Sequence, residues 1–294
     1  MSDDDQPVRS SYYRDQALLN LIVALKPEAD PIISALGLKK TPAAFPLYQS
    51  KEYSLVISGI GKCRSAAATA WLSARQYDKN ENSSLQDKRV SLGMCWLNVG
   101  IAGHIDSPIG ANYLAHTVRD ASSNRVWFPP LIKCTTPASA LLTVDRPLCN
   151  YSPDNLYDME ASGFIETARI FSHSELVQCF KVVSDNSSHP FTEVTPDKTA
   201  KLMADSMETI ITVIQNLQQL QSVIYQHKSH CSVEFIQRWK FSKSQEVQLE
   251  RLLQRYSTIH IPLTEIPAEL LNVKKAKDVL HWLQTSVDQV KYFL

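Results

Sequence analysis

The sequence predicts an α/β protein with a mixed, mostly parallel central sheet, flanking helices and a small helical C-terminal appendage. Apolar, β-branched runs such as Leu19–Leu25, Tyr53–Ser58 and Leu92–Val99 suit strands that are buried on both faces. Helical patterns alternate with these runs, which is typical of βαβ units and a parallel sheet. All eight glycines lie at or before Gly163, and the glycine-free remainder has helical periodicity.

The first two predicted strands each lead directly into a helix. Leu19–Leu25 is followed by Lys26-Pro27-Glu28 and a helical pattern that ends at Gly37. Tyr53–Ser58 runs into Gly59-Ile60-Gly61-Lys62 and then an alanine-rich helix over Ser65–Arg75. Backbone N–H groups at such a helix start can hold an anion or polar ligand, although a tight turn without a ligand explains the two glycines equally well.

The middle of the chain supplies further strands. Tyr77–Arg89 is polar and aperiodic, which predicts an exposed loop. The strand Leu92–Val99 ends in Gly100-Ile101-Ala102-Gly103, where a ligand could lie against the backbone or a helix could pack closely. Tyr113–Val118 and Leu141–Val144 are predicted to be strands as well.

Two carboxylates stand at element ends in the next segment. Leu156–Phe164 has the pattern of an amphipathic helix, with Glu160 expected in its first turn, and Cys179–Val183 is a strand that leads to Ser184 and Asp185. Groups beyond the carboxyl ends of strands line the ligand crevice of α/β sheets. Glu160 and Asp185, together with Glu28, are therefore the candidate acids.

The C-terminal part is predicted to be helical throughout. A long helix is expected from Pro196 or Asp197 to about Gln221, and four shorter helical patterns follow: Cys231–Trp239, Ser244–Tyr256, Thr264–Leu271 and Lys274–Val290. Ser242 is placed to cap the second of these, with Gln245 as its capping-box partner. We expect two domains, residues 15–222 and residues 223–294.

Charge and cysteine content limit the possible functions. The chain of 294 residues has 30 basic and 30 acidic side chains, so no global field favours nucleic acid, and the appendage's lysines alternate with acids. No apolar run approaches the roughly 18 residues of a membrane span, and no signal peptide is recognisable. Six cysteines without a Cys-x-x-Cys pair indicate free thiols in a reducing compartment, so we expect a cytoplasmic protein. No residue cluster suggests a metal or a cofactor.

Five short motifs together carry a family resemblance. In chain order they are Ala24-Leu25-Lys26-Pro27-Glu28, Ser58-Gly59-Ile60-Gly61-Lys62, Asn98-Val99-Gly100-Ile101-Ala102-Gly103, Asp158-Met159-Glu160-Ala161 and Val183-Ser184-Asp185. Their order and spacing resemble the nucleoside phosphorylase/nucleosidase superfamily, and most of all the methylthioadenosine/S-adenosylhomocysteine nucleosidases. The resemblance covers about Asn20–Gln221.

The resemblance implies a role for each motif. Asp185, preceded by Ser184, would be the general acid that protonates N7 of a purine, and Glu28 would activate the attacking water. Met159 and Glu160 would contact the ribose. Further substrate contacts are implied for Gly100, Ile101, Ala102, Ser184 and, through its backbone, Leu148. A homodimer that acts on a small nucleoside is also implied.

Hydrolysis is favoured over phosphorolysis by the side chains at two places. The superfamily's phosphorylases carry arginines to hold phosphate where this chain has Lys26-Pro27-Glu28 and Asn98, and a carboxylate repels that dianion. Arg64 could reach the site and bind phosphate, so a phosphate-dependent phosphorylase is an alternative. Three departures from the family pattern, at Pro147, Ile101 and Lys181, leave both the base and the 5′-substituent of the nucleoside open. A catalytically silent nucleoside-binding protein is a further alternative.

Overall fold

The computed structural model describes residues 19–78, 94–148, 151, 154–259 and 266–288. The chain divides into two compact units, Met1–Gln221 and Ser222–Leu294. Each of them has an apolar core of its own. None of the helices in the described ranges is both long and apolar enough to cross a membrane.

The first unit is built on a sheet of ten strands. These are β1 (Leu19–Val23), β2 (Lys39–Thr41), β3 (Leu47–Gln49), β4 (Tyr53–Ile57), β5 (Cys95–Gly103), β6 (Asn112–Asp120), β7 (Val126–Trp127), β8 (Ala138–Thr143), β9 (Asn155–Asp158) and β10 (Val177–Asp185). The described helices of the chain are α1 (Lys26–Ala35), α2 (Lys62–Asp78), α3 (Ala161–Phe171), α4 (Pro196–Asp205), α5 (Met207–Arg238), α6 (Lys243–Ile259) and α7 (Ala276–Asp288).

The sheet is mixed and closes into a barrel-like ring. Its order is β10-β6-β8-β9-β5-β1-β4-β3-β2, and a further pairing of β10 with β5 closes the five strands at one end. The α/β class and the mixed sheet are confirmed, but a mostly parallel sheet is not, because five of the ten pairings between described strands are antiparallel. Two of these antiparallel pairings, β6 with β10 and β9 with β5, belong to the closed ring.

The apolar runs form the most deeply buried strands, as the sequence predicts. Every residue of β1 and β10 is buried. The helices α2 and α3 pack closely against each other. A Cβ added to Gly163 of α3 would lie 2.7 Å from the carbonyl carbon of Lys62, the first residue of α2. This close packing brings the start of α3 beside the glycine loop that precedes α2.

One predicted element has a different structure. Leu156–Phe164 is not a single amphipathic helix: Leu156 and Tyr157 belong to β9, which pairs with β8, and α3 begins only at Ala161. Asp158 starts the helix by accepting hydrogen bonds from the N–H groups of Ala161 (2.8 Å) and Glu160 (3.3 Å). Glu160 therefore lies at the N-cap rather than in the first turn.

The C-terminal helices also differ from their predicted limits. The first predicted long helix is interrupted at Ser206, and α5 runs on through the segment expected to form a separate helix at Cys231–Trp239. Of the third pattern, only a short 3-10 turn at Ala268–Leu270 is described. The capping box is confirmed, because Ser242 N–H donates to Gln245 Oε1 (2.9 Å) and Gln245 N–H donates to Ser242 Oγ (3.4 Å).

Of the predicted Tyr77–Arg89 loop, residues 79–89 lie outside the described residues.

Candidate active site

Glu28 is held in a buried position by the backbone of two strand ends. Its Oε2 accepts from the N–H of Leu25 at 2.7 Å, and its Oε1 accepts from the N–H of Ile101 at 3.0 Å. The first contact fixes the start of α1, and the second ties that helix to β5. Only 2% of the residue is exposed. Burial raises the pKa of this carboxyl group, opposed by the two hydrogen bonds and by the charge of Lys181.

Gly100 leaves room for two charged groups beside β5. A Cβ added there would lie 3.0 Å from Glu28 Oε1 and 3.6 Å from Lys181 Nζ. Lys181 pairs with Gly100 across the β5–β10 ladder, and its amine is 2.7 Å from Asp158 Oδ2, with both side chains essentially inaccessible to solvent. The Lys181 amine is thus a buried cation that is paired with Asp158 and also interacts electrostatically with Glu28 and Glu160.

Glu160 and Met159 form the turn between β9 and α3. Glu160 Oε1 accepts from the N–H of Gly61 at 2.8 Å, and Oε2 accepts from the N–H of Met159 at 3.3 Å. Gly61 has φ of +104°, which an L side chain rarely adopts, so the contact depends on glycine at this place. The carboxyl group is therefore fixed between the two loops.

The electrostatics of Glu160 reflect burial and crowding by other acids. Burial, followed by the charge of Asp158, raises its pKa from 4.5 to about 7, whereas Lys181 acts in the opposite direction. Burial alone would lower the pKa of Lys181, but Asp158 and Glu160 outweigh it and the pKa is raised. Glu160 consequently changes charge near neutral pH while Lys181 stays cationic.

Asp185 lies at the end of β10, next to Gly103 of β5. A register shift between Val183 and Asp185 turns the strand at this point, and the backbone carbonyl of Asp185 accepts from His104 N–H at 3.0 Å. Ser184 Oγ donates to Asp185 Oδ1 at 2.5 Å, and the hydroxyl of Tyr151 donates to Oδ2. The carboxyl group, in a residue that is 5% exposed, therefore has a hydroxyl donor at each oxygen.

A cavity of about 260 Å³ adjoins the Glu160 turn. Its lining residues come from the loop before α2, the start of α2 and the segments after β8 and β9: Ile60, Gly61, Lys62, Cys63, Arg64, Val144, Asp145 and Met159. Lys62 Nζ is bound there by Asp120 Oδ2 (3.0 Å) and Asp145 Oδ1 (2.9 Å). The Arg64 guanidinium folds back over Gly59, where an added Cβ would lie 2.8 Å from it.

The remaining predicted residues occupy different parts of this region. Ile101 contributes its N–H to Glu28, and the carbonyl of Ala102 accepts from Ser184 Oγ at 3.4 Å. Leu148 is half-buried, and residues 149–150 after it lie outside the described ranges. Pro147 is exposed, and the aromatic side chain found against Asp185 is that of Tyr151. The sequence carries no pattern that indicates Tyr151, whereas Lys181 is visible as a lone cation in an apolar strand.

The arrangement has the parts that cleavage of a glycosidic bond needs. Glu28 approaches β5 at Gly100, and Asp185 approaches it at Gly103, three residues further along the strand. No group of three or more potential metal ligands occurs within the described ranges.

Comparison with solved structures identifies the fold. An Arabidopsis thaliana 5'-methylthioadenosine nucleosidase in its apo form aligns with a TM-score of 0.54 at 16% identity, over 69% of this chain and 97% of that one. An MTA/SAH nucleosidase aligns with a TM-score of 0.52 at 17% identity, over 70% and 97%. The chain has the MTA/SAH nucleosidase fold. The enzyme of Colwellia psychrerythraea 34H in complex with adenine aligns similarly, with a TM-score of 0.51 at 17% identity, over 70% and 97%.

The nucleosidase fold is what the five sequence motifs imply, so that prediction is confirmed. No protein-family model and no curated protein sequence matches the chain. At such low identity the likeness concerns the fold. Function has to be argued from the side chains at the end of β5.

Proposed function

We propose that the chain is a purine-nucleoside N-ribohydrolase of the methylthioadenosine/S-adenosylhomocysteine nucleosidase type. The observation that supports it is the convergence of three buried carboxyl groups, from Glu28, Glu160 and Asp185, on loops around the end of β5. Burying three acids is unfavourable unless they are paired or used, and carboxyl groups with a raised pKa, such as Glu28 and Glu160, cluster at functional sites. The fold shared with nucleosidases gives these acids their proposed roles.

In the proposed reaction Asp185 is the general acid. It gives a proton to N7 of the purine as the bond between the base and C1′ of the ribose breaks, so the base leaves as a neutral molecule. The sugar passes through a cationic, oxocarbenium-like state. The buried carboxyl groups stabilise that positive charge in surroundings where water does not screen it.

Glu28 orients the water that attacks C1′ and accepts the proton that this water loses. Its two oxygens are fixed by the N–H groups of Leu25 and Ile101, which leaves lone pairs for a water hydrogen. A phosphate dianion at the same place would face this carboxylate, and Lys181 is already bound to Asp158. Water is therefore the proposed nucleophile.

Glu160 and Met159 hold the ribose. In its ionised form Glu160 accepts hydrogen bonds from the 2′- and 3′-hydroxyls, with Gly100, Ile101 and Ala102 lying along sugar and base. The cavity bounded by Ile60 and Met159 receives the 5′-substituent of the nucleoside. The backbone of Leu148 reads the base edge, as the resemblance implies.

The proposal is tested by following base release from methylthioadenosine, adenosylhomocysteine, adenosine and inosine, with and without phosphate. We expect release in phosphate-free buffer and no stimulation by phosphate. Activity that requires phosphate would replace the hydrolase by a phosphorylase and would point to Arg64 as the phosphate ligand. Free base and reducing sugar are measured together, because a phosphorylase forms a sugar phosphate instead.

A second candidate is a nucleoside-binding protein without turnover. The observation in its favour is the Tyr151 hydroxyl, which donates to Oδ2 of Asp185, one of the two oxygens from which a base could take the proton. Such a protein would be stabilised against heat by nucleosides and would release no base. Any base release that Asp185→Asn abolishes would exclude it.

The organisation of the chain around this site is part of the proposal. Residues 15–222 form the nucleosidase-like domain, and residues 223–294 form a helical extension whose core is separate. We expect the protein to act in the cytoplasm as a homodimer on a small nucleoside, without a cofactor, a membrane or nucleic acid as partner. Light scattering coupled to gel filtration tests the dimer.

A further inference from the structure

We propose that Tyr151 is a positioning residue for the leaving-group acid, holding the Asp185 carboxyl group in place and linking it to the ribose-binding turn. This inference rests on the proposed function for its catalytic meaning. The contact itself is independent of that function. The tyrosine comes from the segment between β8 and β9, whereas Asp185 ends β10, so the two residues meet only in the folded protein.

The carboxyl group of Asp185 is fixed from both sides. Ser184 Oγ donates to Oδ1 at 2.5 Å, and Tyr151 donates its hydroxyl hydrogen to Oδ2. Each carboxyl oxygen has two lone-pair positions, so both contacts can exist while a remaining position carries the proton that is given to the base. Rotation of the carboxyl plane would break both hydrogen bonds at once.

Gly103 makes the contact possible. A Cβ added at this position would lie 2.5 Å from Tyr151 Cζ and 2.8 Å from Asp185 Oδ2, distances that real Cβ atoms essentially never show. The absence of a side chain at Gly103 therefore creates the space in which the ring and the carboxyl group meet. Gly103 pairs with Asp185 across the β5–β10 ladder and with Tyr157 across the β5–β9 ladder.

The Tyr151 ring also contacts the strand that precedes the ribose-binding turn. Its centroid is 5.0 Å from that of Tyr157, with the two planes tilted by 38°. Tyr157 is followed directly by Asp158, Met159 and Glu160. One side chain thus touches both the proposed proton donor and the element that carries the ribose contacts. A general acid must come within hydrogen-bond reach of its target, so such a link affects the rate directly.

The test compares Tyr151→Phe with Asp185→Asn on two substrates. One is a purine nucleoside, whose base needs a proton to leave; the other is a nitrophenyl riboside, whose phenolate leaves without one. For Tyr151→Phe we expect kcat on the purine nucleoside to fall by about tenfold or more, because the acid is misplaced. KM and the rate on the nitrophenyl riboside should stay within about twofold. Tyr53→Phe, which removes a hydroxyl that contacts Gln218 at 3.5 Å, is the matched control.

Three results would overturn the proposal. An unchanged kcat on the purine nucleoside would remove the role of the hydroxyl, and an equal loss on both substrates would make the role merely structural. The third concerns the carboxyl carbon resonance of Asp185, identified by its disappearance in Asp185→Asn. This NMR signal should move in Tyr151→Phe, and an unmoved signal would show that the contact is absent in solution. This NMR measurement needs no turnover, so it tests the contact even if the protein is not an enzyme. Failure of the proposed function is recognised separately, because the unaltered protein would then release no base.

Discussion

Replacing Glu160 by glutamine should make the protein more stable at alkaline pH and less active. Burial and the neighbouring Asp158 raise the pKa of Glu160 from 4.5 to about 7. Between these pH values the unfolded chain releases the proton and the folded protein keeps it, so stability falls as the pH rises. One pKa unit corresponds to about 1.4 kcal/mol, so the ionised form costs the folded state about 3 kcal/mol at pH 8.

The expected size of the effect follows from the pH window. From pH 5 to pH 8 the free energy of unfolding of Glu160→Gln, relative to the unaltered protein, should rise by about 2 to 3 kcal/mol. Any constant effect of the amide, such as its contact with Gly61 N–H, cancels in this difference. Urea unfolding of both proteins at the two pH values measures it.

Glu166→Gln is the control, since Glu166 lies on the same helix, pairs with Arg125, and has a side chain that is 43% exposed. Both substitutions fall in the first unit, so a separate transition of the second unit cancels in the comparison. The free energy of unfolding could instead depend on pH in the same way in Glu160→Gln and in the unaltered protein. That result would refute the interpretation that ionised Glu160 destabilises the fold and is retained for ribose binding. The same variant should lose base release at pH 8 while remaining folded.

Two further substitutions separate chemistry from stability. Glu28→Gln should lower kcat by about 100-fold or more while nucleoside binding, followed by thermal shift, persists, because the carboxylate that orients water is lost; equal turnover would contradict this role. Lys181→Met should lower the free energy of unfolding by about 3–5 kcal/mol, since it leaves the buried Asp158 without its cation at 2.7 Å. Adding Asp158→Asn to Lys181→Met should recover part of that loss, and a purely additive double variant would argue against the ion pair.

The sequence predicts the fold well where a strand is long and entirely buried. β1 and β10 are predominantly apolar, every residue in them is buried, and no helical period competes with them. β9 could not be predicted in the same way. It has four residues and leads within two residues into α3, so its apolar positions look like the first turn of that helix. Pairing with β8 and with Gly103 of β5 decides the outcome.

The candidate site shows the same division between local and long-range information. Glu28, Glu160 and Asp185 are recognisable because each follows a strand-like run within a short motif. The contacts of Tyr151 depend on closure of the β5-β10-β6-β8-β9 ring, which brings together segments that are distant in sequence. The partner of Lys181 is likewise supplied by β9. Motifs thus predict which acids are present, whereas ring closure determines what holds them.

The most direct measurement is base release from a purine nucleoside in phosphate-free buffer by the unaltered protein and by Asp185→Asn. The account predicts release of free base and reducing sugar by the unaltered protein, and a loss of about 100-fold or more in the variant, as expected for removal of a general acid. Thermal shift with the same nucleoside should show that the variant still binds it. Equal release by both proteins would contradict the assignment of Asp185 as the acid.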